Sequence, residues 1–182
     1  MQASPSHPLH RYNAAARWLH WIIALLIIAA YALILSHGEF PRGSPERTLV
    51  VQSHFWAGIA VLILAIPRVF NRRARGAPLI TPPLSSVLQK LSWLTHLLLY
   101  LFLFAQPILG ILTVWLGRGA IPVPLSELQI ASPFAVDKDL SGSIKEVHET
   151  LGELFYYVIG LHVLAALAHH LVRRDDTLRR ML

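Results

Sequence analysis

AAARWLHWIIALLIIAAYALIL, residues 14–35 of the 182-residue chain, decides the fold. Apart from Arg17 and His20 every residue in it is apolar or aromatic, and neither proline nor glycine interrupts it. At about 1.5 Å per residue a helix of this length crosses the roughly 30 Å hydrocarbon layer of a bilayer. Three more stretches, Val50 to Val69, Leu88 to Leu116 and Ile144 to Val172, can do the same. Backbone groups in lipid must find partners within their own segment, so each run reads as a helix. The expected architecture is all-α: an integral membrane four-helix bundle, one domain over 1–182, with transmembrane helices at about 14–35, 50–69, 88–116 and 144–172.

Composition agrees. The chain is 54% hydrophobic and only 14% charged, with a mean hydropathy of +0.51, outside the range of soluble domains of this size. Loops rich in proline and glycine, Gly38 to Pro45, Gly76 to Pro83 and Gly117 to Pro124, separate the runs and leave no room for a second domain. Basic residues then orient the bundle. Arg11, Arg17, Arg68, Arg72, Arg73, Arg75, Lys90, Arg173, Arg174, Arg179 and Arg180 fall on one side, with Arg68 counted in the connection after the second run. Arg42, Arg47, Arg118, Lys138 and Lys145 fall on the other, so both termini are expected in the cytoplasm. Of the acids only Asp175 and Asp176 lie on the basic side. The net charge of +6 thus reads as membrane orientation, not as a nucleic-acid surface.

The first run is too long for a signal peptide and no small-residue cleavage pattern follows it, so it is expected to be retained. The chain has no cysteine, which excludes disulfides, thiolate-bound iron–sulfur clusters and covalently attached haem.

What remains unusual is histidine. Of ten, His20, His54, His96, His148, His162 and His169 lie in or at the edge of the apolar runs, where an imidazole without a partner is costly. With the orientation above, His20 lies toward the cytoplasmic end of the first helix and His54 toward the outer end of the second. On the fourth helix His148 and His162 are fourteen residues apart, which is about 40° short of four turns and roughly 21 Å of rise. They therefore share a face at two levels, with His54 able to oppose His148 near the outer surface and His20 able to oppose His162 below. Two facing imidazoles with no carboxylate or thiolate beside them suit a six-coordinate haem iron, whose porphyrin fills the other four positions. Zinc wants four protein ligands, or three and an open position. Gly58, Gly152 and Gly160 sit near these histidines and offer room for a flat ring, although glycine is also a common packing device in membrane helices. His7, His10 and His37, in terminal or loop positions, read as ordinary interfacial residues. Arg17, three residues before His20, shares its face and is a candidate partner for a haem propionate or a lipid headgroup. Pro107 is expected to kink the third helix.

Around these histidines lie Arg-Trp-Leu-His-Trp at 17–21, Lys-Glu-Val-His-Glu-Thr-Leu at 145–151, Ile-Gly-Leu-His at 159–162, Ala-His-His at 168–170 and Asp-Thr-Leu-Arg-Arg-Met at 176–181. As a set these motifs resemble the bacterial cytochrome b561 family, whose members include membrane superoxide oxidases that pass electrons to quinone. The resemblance covers the chain from the first helix to its last residues. It implies two haem b groups on the axial pairs His20/His162 and His54/His148, the same four residues that depth and rotation select. It also implies a quinone site at His96 and His169. That role suits their chemistry, since a quinone has two oxygens that accept hydrogen bonds and take up protons, and imidazole relays protons near neutral pH.

The resemblance thus implies an oxidoreductase of the bacterial inner membrane. Superoxide, or another outer-face donor, gives electrons that pass through two haems to ubiquinone. No broad basic funnel for superoxide is visible in the composition of the outer loops. The alternative is a cytochrome b anchor subunit that links a partner dehydrogenase or hydrogenase to the quinone pool. A histidine-based metal permease is a third reading, disfavoured by the shortage of carboxylates within the membrane.

Overall fold

A computed structural model of the protein describes residues 11–182, so His7 and His10 lie outside the described residues. Four helices carry the fold: α1 Ala14–Ser36, α2 Pro45–Arg75, α3 Ser86–Arg118 and α4 Lys138–Ala168. All four are long and apolar enough to cross a membrane. Three of them begin before the apolar run because the helix start is set by a capping side chain, not by hydropathy. Ser44 accepts from the Arg47 N–H with Pro45 in the first turn, Ser85 accepts from the Leu88 N–H, and Asp137 accepts from the Leu140 N–H. Asn13 caps α1 in the same way through the Ala16 N–H.

At the other ends, Gly76 (φ 70°) and Gly119 (φ 78°) take backbone conformations that residues with a Cβ rarely adopt, and the helices stop there. α2 runs on through Pro67, so Arg68, Arg72, Arg73 and Arg75 are helical residues rather than part of a connection. α4 begins six residues before the expected Ile144. Its α-helical ladder ends at Ala168 and is followed by a π-turn over His169–Arg173.

The expectation of helices alone needs one amendment. Between α3 and α4 lies a two-stranded antiparallel ribbon, β1 Ala120–Pro122 with β2 Gln129–Ala131, in the register Ala120↔Ala131, Ile121↔Ile130 and Pro122↔Gln129. Strands of three residues are too short to print an alternating pattern on the sequence. The ribbon is pinned to the bundle by the Trp56 indole, which donates to the Pro122 carbonyl at 2.9 Å, and by Ile121, which is buried.

α1 packs on α2 and α3 on α4, with α2 and α3 joining the two pairs. Ala57, Val61 and Ala65 repeat every four residues on one face of α2 and are all buried, so small side chains allow neighbouring helices to approach. Ile23, Val61, Ala65 and Leu103 form the packed centre. The outward faces are apolar as well: Leu25, Ile28, Phe70, Leu101 and Leu161 are each more than half exposed, as befits side chains whose solvent is lipid.

The first described residues and the C-terminus meet at one end, called here the terminal end. The Tyr12 N–H donates to the Arg180 carbonyl at 3.1 Å, the Trp21 indole donates to the Met181 carbonyl at 2.9 Å, and the Arg17 guanidinium donates to the carbonyl of Leu182. The opposite end carries the ribbon.

Candidate functional site

Toward the ribbon end, α2 and α4 bring His54 and His148 together with ring centres 6.3 Å apart and planes at 83°. A nitrogen–metal bond is about 2.0 Å and each ligating nitrogen sits roughly 1.2 Å from its ring centre, so two imidazoles on opposite sides of one iron have centres about 6.4 Å apart. The observed separation fits. Nδ1 of His54 faces the Ala30 carbonyl at 2.9 Å and Nδ1 of His148 faces the Gln106 carbonyl at 3.1 Å. A carbonyl only accepts, so each Nδ1 carries the proton and each Nε2 keeps a free lone pair, the state a metal ligand needs.

Around the pair is an apolar cleft lined by Gly58, Pro107, Gly110, Ile111, Val114 and Ile121. A Cβ on Gly58 would meet nothing within 4 Å, which is consistent with space for a planar group. Gly152 does not serve that purpose: a Cβ there would come within 2.9 Å of the Gln106 amide nitrogen. Its smallness instead lets Gln106 reach the His148 carbonyl at 2.7 Å and lets the Tyr31 hydroxyl donate to its own carbonyl at 2.8 Å.

Toward the terminal end, His20 of α1 and His162 of α4 have ring centres 6.4 Å apart with planes at 80°, again the separation one iron requires. A Cβ on Gly160 would meet nothing within 4 Å. The tautomer differs, however. Arg68 of α2 donates to Nδ1 of His20 at 3.2 Å and to the Ala16 carbonyl at 3.2 Å. Because guanidinium can only donate, Nδ1 of His20 is the acceptor and its proton rests on Nε2. Ligation through Nε2 therefore requires Arg68 to release Nδ1. No cluster of three or more His, Cys, Asp or Glu able to hold a bare metal ion exists among the described residues. The donor set at both levels is thus two imidazoles, which suits a metal that brings its own equatorial ligands.

His96 of α3 joins the same level, its ring centre 5.6 Å from that of His162, and its Nδ1 faces the Ser92 carbonyl at 2.6 Å. His169 follows α4 in the π-turn, where Nδ1 meets the Asp175 carboxylate at 2.5 Å. No hydrogen bond or ring contact joins His96 to His169 among the described residues. The Asp175 side chain is fully buried. Burial pushes its carboxyl up, but hydrogen bonds from His169 and from Thr177 outweigh that and hold it below the usual carboxylate range.

The Arg17 guanidinium donates to the Leu182 carbonyl, and the His20 ring takes its hydrogen bond from another cation. Arg68 is the cation beside His20, and sequence reasoning missed it by placing it in a connection. It lies fourteen residues after His54, the same interval that separates His148 from His162, and that spacing was the available signal. Asp175 carried no such signal, because its contact depends on a reversal of the chain at Arg174. At the ribbon end, a polar cleft bordered by Arg47 and Arg118 opens beside Val51 and Gln52, within one turn of His54.

The sequence family described as prokaryotic cytochrome b561 matches residues 11–182. Cytochrome b561 homolog 1 of Escherichia coli (strain K12) is 33% identical over 176 residues, covering 96% of this chain and 98% of that protein. A Yersinia pestis protein named probable superoxide oxidase CybB is 34% identical over 178 residues, covering 94% and 96%. Cytochrome b561 homolog 2 of Escherichia coli is 27% identical over 180 residues, covering 94% and 91%. Four membrane-length helices, paired imidazoles at two heights and a match from residue 11 to the last residue lead to one conclusion: the chain belongs to the prokaryotic cytochrome b561 family.

Proposed function

We propose that this membrane electron-transfer protein is a dihaem b-type cytochrome of the bacterial inner membrane that oxidises superoxide at its ribbon end and reduces ubiquinone at its terminal end. The observation that carries the reading is the equal spacing of the two histidine pairs, 6.3 Å for His54/His148 and 6.4 Å for His20/His162. A haem held at each level supplies a one-electron carrier within the bilayer.

The residues of the chain supply the rest. His54 and His148 present free Nε2 lone pairs because Ala30 and Gln106 hold their Nδ1 protons. His54 and His148 would hold a haem between their two imidazoles and leave no open position for an oxygen species, so the donor would give its electron by outer-sphere transfer. Two superoxide anions give up two electrons and leave as molecular oxygen, and the quinone takes those electrons with two protons. Arg47 and Arg118, brought into one cleft by α2 and the end of α3, offer positive charge to an arriving anion, which loop composition did not reveal. His96 and His169 are the imidazoles available to the quinone oxygens. The excess of Lys and Arg at the terminal end supports its placement in the cytoplasm.

The test is stopped-flow reduction of the purified haem protein by superoxide with ubiquinone present. The expected result is haem reduction well above the uncatalysed background. The double variant Arg47→Gln, Arg118→Gln should slow the second-order rate roughly tenfold at low salt and flatten its dependence on ionic strength. Reduction no faster than background would assign the electrons to a partner dehydrogenase or hydrogenase, with this chain as its membrane anchor.

A further inference from the structure

Among the described residues the carboxylate of Asp175 is the one buried acid at the terminal end, and nothing in the reading above uses it. The chain reaches it by an unusual route. The π-turn His169–Arg173 closes with Arg174 in the left-handed region (φ 58°, ψ 34°), and the Asp175 N–H donates back to the His169 carbonyl at 3.1 Å. Wide turns of this kind, and a left-handed residue that is not glycine, carry a conformational cost that surrounding contacts must offset. Here they turn the carboxylate onto the ring of His169, with Oδ2 at 2.5 Å from Nδ1. The other oxygen, Oδ1, accepts from the Thr177 N–H at 2.9 Å. Arg173 Nε lies 3.1 Å from Oδ2 as a charge neighbour without hydrogen-bond alignment.

The two imidazoles at this end are therefore not equivalent. His96 gives its Nδ1 proton to a neutral carbonyl, that of Ser92. His169 gives its own to an anion, which fixes the tautomer, leaves Nε2 on the far side of the ring, and offsets the charge of an imidazolium. We propose that Asp175 is a positioning residue that equips His169 to deliver a proton to the reduced quinone. This rests on the quinone reading given above.

The step balances simply. The Nε2–H bond of protonated His169 breaks as an O–H bond forms on one quinone oxygen. The ring becomes neutral, and its Nδ1 proton stays on the Asp175 hydrogen bond. Water at the terminal end returns a proton to Nε2. The second proton enters from the same aqueous phase, and both electrons come from the electron-transfer activity.

The experiment uses haem-loaded protein reduced beforehand with dithionite and mixed with a short-chain ubiquinone, following haem reoxidation. Asp175→Asn should lower the limiting rate by roughly 10- to 100-fold, a part of the roughly 10²- to 10⁴-fold that a positioned acid–base group supplies. The half-saturating quinone concentration should stay within about twofold of the parent protein, the solvent deuterium isotope effect should rise, and Asp175→Glu should recover most of the rate. An unchanged limiting rate and isotope effect in Asp175→Asn, while His169→Ala is slow, would overturn the proposal and leave the quinone site standing. Normal reoxidation in His169→Ala as well would remove both. Loss of haem from Asp175→Asn and Asp175→Glu alike would make the carboxylate a structural brace and likewise overturn the proposal.

Discussion

Replacing His148 by alanine is expected to halve the haem content, from the proposed two haems per chain to about one, with the loss at the ribbon end. His148 is held in place on two sides, by the Gln106 carbonyl at Nδ1 and by the Gln106 amide on its own carbonyl. Its ring fills the space beside Gly110, where an added Cβ would approach it to 3.3 Å. Alanine leaves that space empty and leaves His54 without its facing imidazole. Removing a supporting group from a metal site already costs about 10- to 100-fold in affinity, and removing an axial ligand outright costs more. Haem extraction with pyridine gives the count, and the absorption spectrum shows whether what remains is low-spin. Two low-spin haems in His148→Ala would break the pairing of His54 with His148.

The second large effect is expected of His96→Ala combined with His169→Ala. Reduction of the haems by superoxide should proceed at the parent rate, whereas their reoxidation by ubiquinone should slow by roughly 100-fold or more, the scale of a lost acid–base group. The two halves separate because the substitutions lie at the terminal end, and the basic cleft of Arg47 and Arg118 lies at the other. Haem content has to be measured in the same preparation, since His96 lies 5.6 Å from the ring of His162. Retained haem with slow reoxidation supports a quinone site at these two histidines. Normal rates on both sides would move the quinone elsewhere on the bundle.

How much of this could be read from residues alone follows from the physics of each feature. The four helices were legible because lipid demands long apolar runs, and hydropathy records them directly. Their ends were not, because Ser44, Ser85 and Asp137 start helices in polar sequence that a hydropathy run leaves out. The facing of His148 with His54 and of His162 with His20 follows from helical rise and rotation, which vary little, once the distribution of Lys and Arg has set the direction of each helix. What sequence could not supply was the surroundings of each ring. Arg68 donates to Nδ1 of His20, a side-chain contact that neither hydropathy nor the count of charges specifies. Asp175 reaches His169 because Arg174 adopts a conformation no pattern announces. The cleft of Arg47 and Arg118 joins side chains more than seventy residues apart in sequence, and loop composition could not show it.

The most direct measurement is low-temperature electron paramagnetic resonance of the oxidised protein, purified from haem-replete cells, with haem quantified in the same sample. The account predicts two distinct low-spin ferric signals of bis-imidazole type, together equal to about two irons per chain. A colourless protein, a single haem, or a high-spin signal from an iron with an open position would contradict it.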